Sequence, residues 1–124
     1  MHSINVKPFI LFFLCVFIAC NETLDERHKI LEGTWYLQKA QANGIETNRL
    51  EGTKYVFQHN LLKTNLTQIG DGNYTLDKDK LSQKGEQTIL YKISELSEKR
   101  LVLLITLRDV DFLMEFGRDS LTIE

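Results

Sequence analysis

Between Leu31 and Arg118 the sequence alternates apolar and polar residues with a period of two, in short segments separated by turn residues. Neighbouring side chains on a β-strand point to opposite faces, so this alternation predicts strands with one buried face. Eight such segments with short connections predict an up-and-down antiparallel barrel or a sandwich. The segments are 33–40, 54–58, about 62–69, 73–77, a short one around Leu81, 87–96, 100–107 and 111–117.

The first predicted strand, GTWYLQKA from Gly33, carries the single tryptophan of the chain. Strand alternation places Trp35, Leu37 and Lys39 on one face. Gly33 allows a tight bend into the strand because it has no Cβ. A buried indole needs a neighbour across its face, and Arg118, after the last apolar segment, is the candidate. A guanidinium over an indole gains about 0.5–2 kcal/mol and would join the first strand to the last.

These features resemble a known signature. Gly33-Thr34-Trp35 at the first strand and Arg118 after the last one resemble the lipocalin motif. The chain from about 31 to 118 is similar to the short lipocalin-like domain of secreted bacterial lipoproteins. The resemblance implies an all-β, eight-stranded, up-and-down antiparallel lipocalin-like barrel with a short N-terminal helix. The further segments that carry it are GTKYVF (52–57), YTLD (74–77) and the leucine-rich 101–107.

The N-terminal residues have the organisation of a targeting segment. Lys7 precedes an uninterrupted apolar run, FILFFLCVFIA, at 9–19. This run is shorter than the roughly 20 residues that a transmembrane helix needs. The ending FIAC resembles a bacterial lipobox, which implies cleavage before Cys20 and acylation of its sulfur. An ordinary signal peptide and an uncleaved anchor are the alternatives.

The two resemblances together imply a domain organisation. Residues 1–19 are expected to be a lipoprotein signal peptide, 20–30 a lipidated N-terminus with a short helix, and 31–124 the lipocalin-like β-barrel domain. Thr23 and Glu26 are spaced to form a capping box at the start of that helix. The expected location is a lipid anchor after export across the inner membrane, and the acidic Glu22, Asp25 and Glu26 after the cysteine resemble surface-export signals, which favours the bacterial outer membrane.

Charge and motif content argue against several functions. The formal net charge is -2, and the chain without residues 1–19 carries 14 basic against 17 acidic side chains. Bulk electrostatics therefore do not favour a nucleic-acid partner. His28 and His59 have no second His or Cys at metal-ligand spacing, and no nucleophile or phosphate-loop motif is present. We expect no enzyme activity, no catalytic residues, no metal and no cofactor.

The inward side chains of the predicted barrel suggest the main function hypothesis, which is non-catalytic binding of a small hydrophobic ligand. Small eight-stranded barrels either hold one small ligand or are filled by side chains. A packed core and a small apolar pocket at the 41–52 end are both compatible with the pattern. The ligand-binding candidates are Tyr55, Phe57, Tyr74, Leu76, Tyr91, Ile93, Leu103, Phe112 and Met114.

An alternative function follows from the segment 100–107, which is apolar on both faces. Its outward residues Val102 and Leu104 are either covered by the N-terminal helix or form a patch for an envelope protein partner. The second reading describes a protein-interaction or inhibitor module with a solid barrel core.

Overall fold

The computed structural model describes residues 24–119 as one helix followed by a nine-stranded antiparallel sheet. The predicted targeting segment, Cys20 and the capping residue Thr23 lie outside the described residues. No helix within 24–119 is long and apolar enough to cross a membrane. The elements are α1 (Leu24–Leu31), β1 (Gly33–Ala42), β2 (Ile45–Thr47), β3 (Lys54–Gln58), β4 (Leu61–Thr64), β5 (Gly72–Asp77), β6 (Lys80–Lys84), β7 (Thr88–Leu96), β8 (Arg100–Leu107) and β9 (Val110–Gly117).

The predicted eight-stranded up-and-down barrel is confirmed. Strands β3 to β9 pair in chain order, β3 pairs with the first half of β1, and β9 returns to β1 to close the barrel. The ninth strand, β2, lies outside this count and pairs with the end of β1. The core side chains alternate along each strand as the period of two predicts, and they form one cluster inside the barrel.

Two local expectations for the strands are wrong. A bulge between Leu37 and Lys39 shifts the register of β1 against β9, so Lys39 is exposed and Ala40 points inward instead. An extra residue in one strand exchanges the two faces beyond it. The strand expected at 62–69 ends at Thr64, because the backbone turns and both Ile69 and Gly70 donate to the Leu66 carbonyl.

The connection expected at 41–52 contains a hairpin. β1 continues to Ala42, and Asn43-Gly44 then turns the chain directly into β2. Both turn residues have positive φ, 51° and 82°, which is the backbone of the tight turns that suit the strand twist. Asn43 also anchors the hairpin to β9, since it exchanges hydrogen bonds of 2.7 and 2.9 Å with Asp111.

One end of the barrel is closed by contacts between the two ends of the fold. Arg118 Cζ lies 3.5 Å from the centroid of the Trp35 ring, which is the predicted contact. The Arg118 guanidinium donates to the carbonyls of Thr34, Ile30 and Glu98 at 3.2, 2.5 and 3.1 Å. Trp35 Nε1 donates to the Leu31 carbonyl at 2.8 Å. These bonds satisfy carbonyls at the C-terminus of α1 and hold the helix on the barrel.

Gly33 is required at this closed end. Its φ of +113° is a conformation that L-residues with a Cβ rarely adopt. A Cβ at this position would also lie 3.0 Å from Arg118 Nη1. The glycine therefore gives the guanidinium room to lie on the indole.

One of the two expectations was that the helix covers the outward face of β8. The helix does not lie there. It packs across the closed end against β5 and β7. Val102 is nevertheless only 5% exposed. Its cross-strand neighbours are Glu95 and Glu115, and Arg100 bridges both carboxylates at 3.0 and 2.9 Å. This charged cluster flanks Val102 on the outer face of the sheet.

We expect Arg118→Lys to lower the free energy of unfolding by about 1–3 kcal/mol, since an ammonium cannot stack flat on the indole while reaching three carbonyls. Denaturant unfolding followed by tryptophan fluorescence measures the change. The matched control is Arg49→Lys at an exposed position, expected within about 0.5 kcal/mol of the parent protein. Equal midpoints for both variants would contradict the role given to Arg118.

Candidate functional site

The half of the barrel next to α1 is filled with aromatic side chains. Trp35, Tyr55, Phe57 and Phe116 are each at most 1% exposed. The Tyr55 ring centroid lies 5.1 Å from that of Phe116, and Phe57 meets Tyr74 edge-to-face at the same distance. Side chains packed in this way leave no room for a ligand in this half of the interior.

A chain of hydrogen bonds crosses the middle of the barrel. The hydroxyls of Tyr55 and Tyr91 lie 3.0 Å apart, and Tyr91 donates to Gln83 Oε1 at 2.9 Å. Gln83 Nε2 in turn donates to the Gly70 carbonyl at 2.6 Å. Because the Tyr91 proton is directed to Gln83, Tyr55 must donate to Tyr91. Both phenols therefore have protein partners, and neither needs a ligand to satisfy it.

The environment of these tyrosines disfavours their ionisation. Burial raises the pKa of Tyr55 well above its usual value of 10.0, and the neighbouring Tyr91 adds to the rise. Burial also raises the pKa of Tyr91. A phenolate would have to form in an apolar interior, which favours the neutral form. The middle of the barrel is thus polar but uncharged at neutral pH.

The barrel wall opens between β7 and β8. Their ladder runs from Leu96↔Leu101 to Lys92↔Leu104 and stops there. Both strands continue, because β7 still pairs with β6 as far as Thr88 and β8 still pairs with β9 as far as Leu107. Within residues 24–119 no ladder pair joins 88–91 to 105–107. The two strands therefore run on without backbone pairing between them towards the end of the barrel that is opposite α1.

A cavity of about 1110 Å³ lies along this unpaired stretch, and we call it the β7–β8 cleft. Its volume is slightly above the roughly 300–1,000 Å³ typical of small-molecule sites. Side chains from both faces of the barrel wall line it, as expected where two strands are not paired. The inner-face residues are Leu81, Ile89, Tyr91, Ile105 and Phe112, and the outer-face apolar residues are Leu90, Leu104 and Leu113.

Polar groups surround the open end of the cleft. Gln41, Gln68, Gln87 and Arg108 contribute to its lining. Asp111 also reaches it, but its carboxylate accepts a 2.6 Å hydrogen bond from the Thr106 hydroxyl. The cleft therefore combines an apolar wall with a polar rim, which is the usual composition of a site for small molecules.

The candidates predicted from sequence divide into two groups. Tyr91 and Phe112 line the cleft. The others are buried in the packed core and do not line it: Tyr55, Phe57, Tyr74, Leu76, Ile93, Leu103 and Met114. Gly33, Trp35 and Arg118 form the closed end described above, away from the cleft. Among residues 24–119 no group of three His, Cys, Asp or Glu side chains is arranged to hold a metal ion.

Leu90, Leu113 and Lys92 line the cleft without having been singled out from the sequence. A signal was present, because Leu90, Leu104 and Leu113 place leucines at outward positions on three strands that follow one another in the chain. Leu90 is 68% exposed in the structure. Attention to apolar residues on the polar face would have found this set, although the loss of pairing between the strands is a long-range effect.

Comparisons with known proteins agree with the barrel architecture. A solved lipocalin-like protein from Bacteroides uniformis superimposes with a TM-score of 0.55 and 19% sequence identity, over 73% of this chain and 99% of its own length. No family model matches the chain, and no curated protein matches it. At this identity the likeness concerns the fold, which is lipocalin-like.

The raised pKa values of Tyr55 and Tyr91 predict a loss of stability in alkali. Unfolded tyrosines ionise near pH 10, whereas the folded ones resist ionisation, so the unfolded chain binds fewer protons above that pH. The free energy of unfolding should be unaffected by these groups at neutral pH and fall as pH rises above about 10. Chemical denaturation at a series of pH values measures this slope.

The double variant Tyr55→Phe/Tyr91→Phe provides the comparison. It should be less stable at neutral pH, because Gln83 loses its partner, but its stability should decline less steeply above pH 10. Parallel slopes for the two proteins would contradict the assignment.

Proposed function

We propose that this lipocalin-like protein is a non-catalytic binder of small molecules with an apolar body, which it holds in the β7–β8 cleft. The observation that carries the proposal is the unpaired stretch between β7 and β8, which turns a closed barrel wall into an apolar cleft of about 1110 Å³. The lipocalin-like fold supports this proposal in general terms, because one fold can serve many functions. The shape and lining of the cleft support it directly.

The chemistry of the lining favours apolar contact over hydrogen bonding. Ile89, Ile105 and Phe112 offer no polar atoms, and the Tyr91 hydroxyl is already committed to Gln83 and Tyr55. The apolar body of a ligand makes no hydrogen bonds to water, so it loses none when it enters a site that offers none. It would cover Leu90, which is 68% exposed, and the partly buried Leu104, Phe112 and Leu113, at about 25 cal/mol for each Å² buried.

The site differs from the pocket expected inside the barrel, although Gln41 and Gly44 belong to its lining and to the expected 41–52 end. The packed aromatic half and the Tyr55–Tyr91–Gln83 chain leave the ligand a position across the wall instead of along the barrel axis. The loop 65–71 contributes Gln68 to the rim and is tied to the barrel through the Gln83–Gly70 bond. Binding would therefore require little rearrangement of the core.

A protein-interaction module is the second candidate, and one observation favours it. The facing edges of β7 and β8 both carry backbone groups without a ladder partner, and an extended segment of another protein could pair with them. Leu90 and Leu104 lie beside these edges. The outward face near Val102 supports this candidate less, because Arg100 and its two glutamates flank it.

Location forms a separate part of the proposal. The lipobox-like FIAC sequence supports export, cleavage before Cys20 and attachment by acyl chains at the outer membrane. Acyl chains contribute about 0.8 kcal/mol for each buried CH₂, so two or more anchor a protein stably.

The ligand site is tested by bridging the cleft. If the register of β7 and β8 continued past Lys92↔Leu104, Leu90 would face Thr106. We expect the double variant Leu90→Cys/Thr106→Cys, joined by oxidation or by a short bis-maleimide, to bind Nile red at least about tenfold more weakly than its reduced form. Fluorescence titration gives both affinities.

The control is Val56→Cys/Lys63→Cys, which bridges the β3–β4 ladder, where Val56 pairs with Lys63 away from the cleft. Its affinity for the probe should not depend on bridging. An equal effect in both variants, or none in the first, would place the binding site elsewhere. Absence of probe binding to the parent protein would contradict the proposed function.

We expect Cys20→Ser to leave the barrel intact and to move the protein out of the membrane fraction in unprocessed form, because the acylated sulfur is removed. Fractionation of a producing bacterium, with the mass of the purified chain, measures both effects. Cys15→Ser is the control, since Cys15 lies within the segment expected to be cleaved off. Membrane retention and normal processing of Cys20→Ser would contradict the lipid anchor.

A further inference from the structure

The outer wall of the cleft is organised as a row of side chains across the barrel. The pairs Lys80↔Lys92, Lys92↔Leu104 and Leu104↔Leu113 are consecutive rungs on β6, β7, β8 and β9. All four residues line the cleft. The row therefore changes from basic to apolar in one step, between Lys92 and Leu104.

The basic end of this row is unusual for a sheet. Like charges directly opposite each other on neighbouring strands destabilise the pair. Within the part of the chain that the structure describes, no ion pair involves Lys80 or Lys92. Asp77 lies opposite Lys80 on β5, on the side away from the cleft, so it offsets part of the charge of Lys80. Lys92 has Lys80 on one side and Leu104 on the other.

Asp79 also lies near Lys92, because its backbone carbonyl accepts a hydrogen bond of 2.6 Å from the N–H of Ile93, but within residues 24–119 its carboxylate forms no ion pair with either lysine. Glu95, the nearest carboxylate along β7, is held by Arg100 at 3.0 Å. The Asp111 carboxylate is bound by the Thr106 hydroxyl, and Arg108 adds a further positive charge to the lining. The side of the cleft near Lys92 is therefore basic on a chain whose formal net charge is negative.

The apolar end of the row continues onto its neighbours. Leu90 precedes Lys92 by two positions on the outer face of β7 and is 68% exposed. Leu104 and Leu113 are partly buried beside it. A molecule lying across the row would meet a positive charge at one end and leucine side chains along the rest.

We propose, resting on the function above, that the cleft selects a small amphiphile with one negatively charged end. Lys92 and Lys80 lie next to that charge, and Leu90, Leu104 and Leu113 contact the apolar part. The carboxylate or phosphate of the ligand relieves the repulsion between the two lysines, which gives the charged molecule an advantage over a neutral one of the same shape.

The test compares two probes that differ in one group. Sodium decanoate and 1-decanol share their chain length, and each is titrated against bound Nile red below the concentration at which it forms micelles. We expect decanoate to displace the dye at about a tenfold lower concentration, an advantage that decreases with added salt. Equal potency of the two compounds would overturn the proposal while leaving the proposed function intact.

Variants that remove a positive charge test whether the two lysines cause the preference for the negatively charged ligand. Lys92→Gln and the double variant Lys80→Gln/Lys92→Gln should weaken decanoate binding by about fivefold or more and leave decanol binding unchanged. The control Lys63→Gln removes the same charge from the exposed face of β4, away from the cleft, and should change neither affinity. Loss of both ligands together, or an equal effect of the control, would overturn the role of the lysines.

A second arm separates a single amphiphile from a lipid surface. Vesicles of phosphatidylcholine with and without phosphatidylglycerol are sedimented with residues 24–124, which lack the anchor. We expect binding of monomeric decanoate and no sedimentation with either vesicle. Sedimentation with phosphatidylglycerol vesicles without displacement by decanoate would mean that the row contacts a membrane, and the proposal would be wrong. If no apolar probe binds at all, both the proposed function and this inference are overturned.

Discussion

The stacking of Arg118 on Trp35 is the interaction on which the closed barrel depends. One guanidinium contacts the indole and three carbonyls, from the helix, the first strand and the turn between β7 and β8. Elements that are far apart in the chain are thereby fixed to a single group. Charge-assisted bonds to backbone carbonyls are stronger than neutral ones, and here they are partly shielded from water. These contacts fix the closed end of the barrel. They do not reach the opposite end, where the cleft lies.

The contrast between the two ends explains where the cleft lies. Near Arg118 the strands β7 and β8 are paired, with one register shift between Ile93 and Glu95, and the Arg100 cluster lies on their outer face. Towards the other end each strand keeps one neighbour and loses the other. A barrel needs a consistent stagger of its strands to close everywhere, and the register of β7 against β8 shifts between Ile93 and Glu95, shortly before their ladder ends. The cleft is the place where this small barrel leaves its wall incomplete.

Alternation and turn chemistry predicted most of the fold. The bounds of β3 and β8 agree with the sequence pattern, and Asn43-Gly44 forms the turn that its residue types favour. The Trp35–Arg118 contact was accessible because both residue types are distinctive. The bulge at Gln38 was not accessible from the sequence, because the pairing with the partner strand determines where an extra residue is accommodated. The inward pattern identified Tyr91 and Phe112, but it could not separate a packed interior from an open one. The cleft arises from register between distant strands, which no local pattern encodes.

The closing contacts also constrain how the protein acquires its structure. Gln38 Nε2 donates to the Asp119 carbonyl at 2.7 Å across 81 positions of the chain, and Arg118 contacts Thr34 across 84. Contacts with such large sequence separation are costly to form in loop entropy and slow the folding of a domain. During synthesis β1 has no partner on one edge until β9 has emerged. The barrel therefore cannot close before β9 is available to pair with β1.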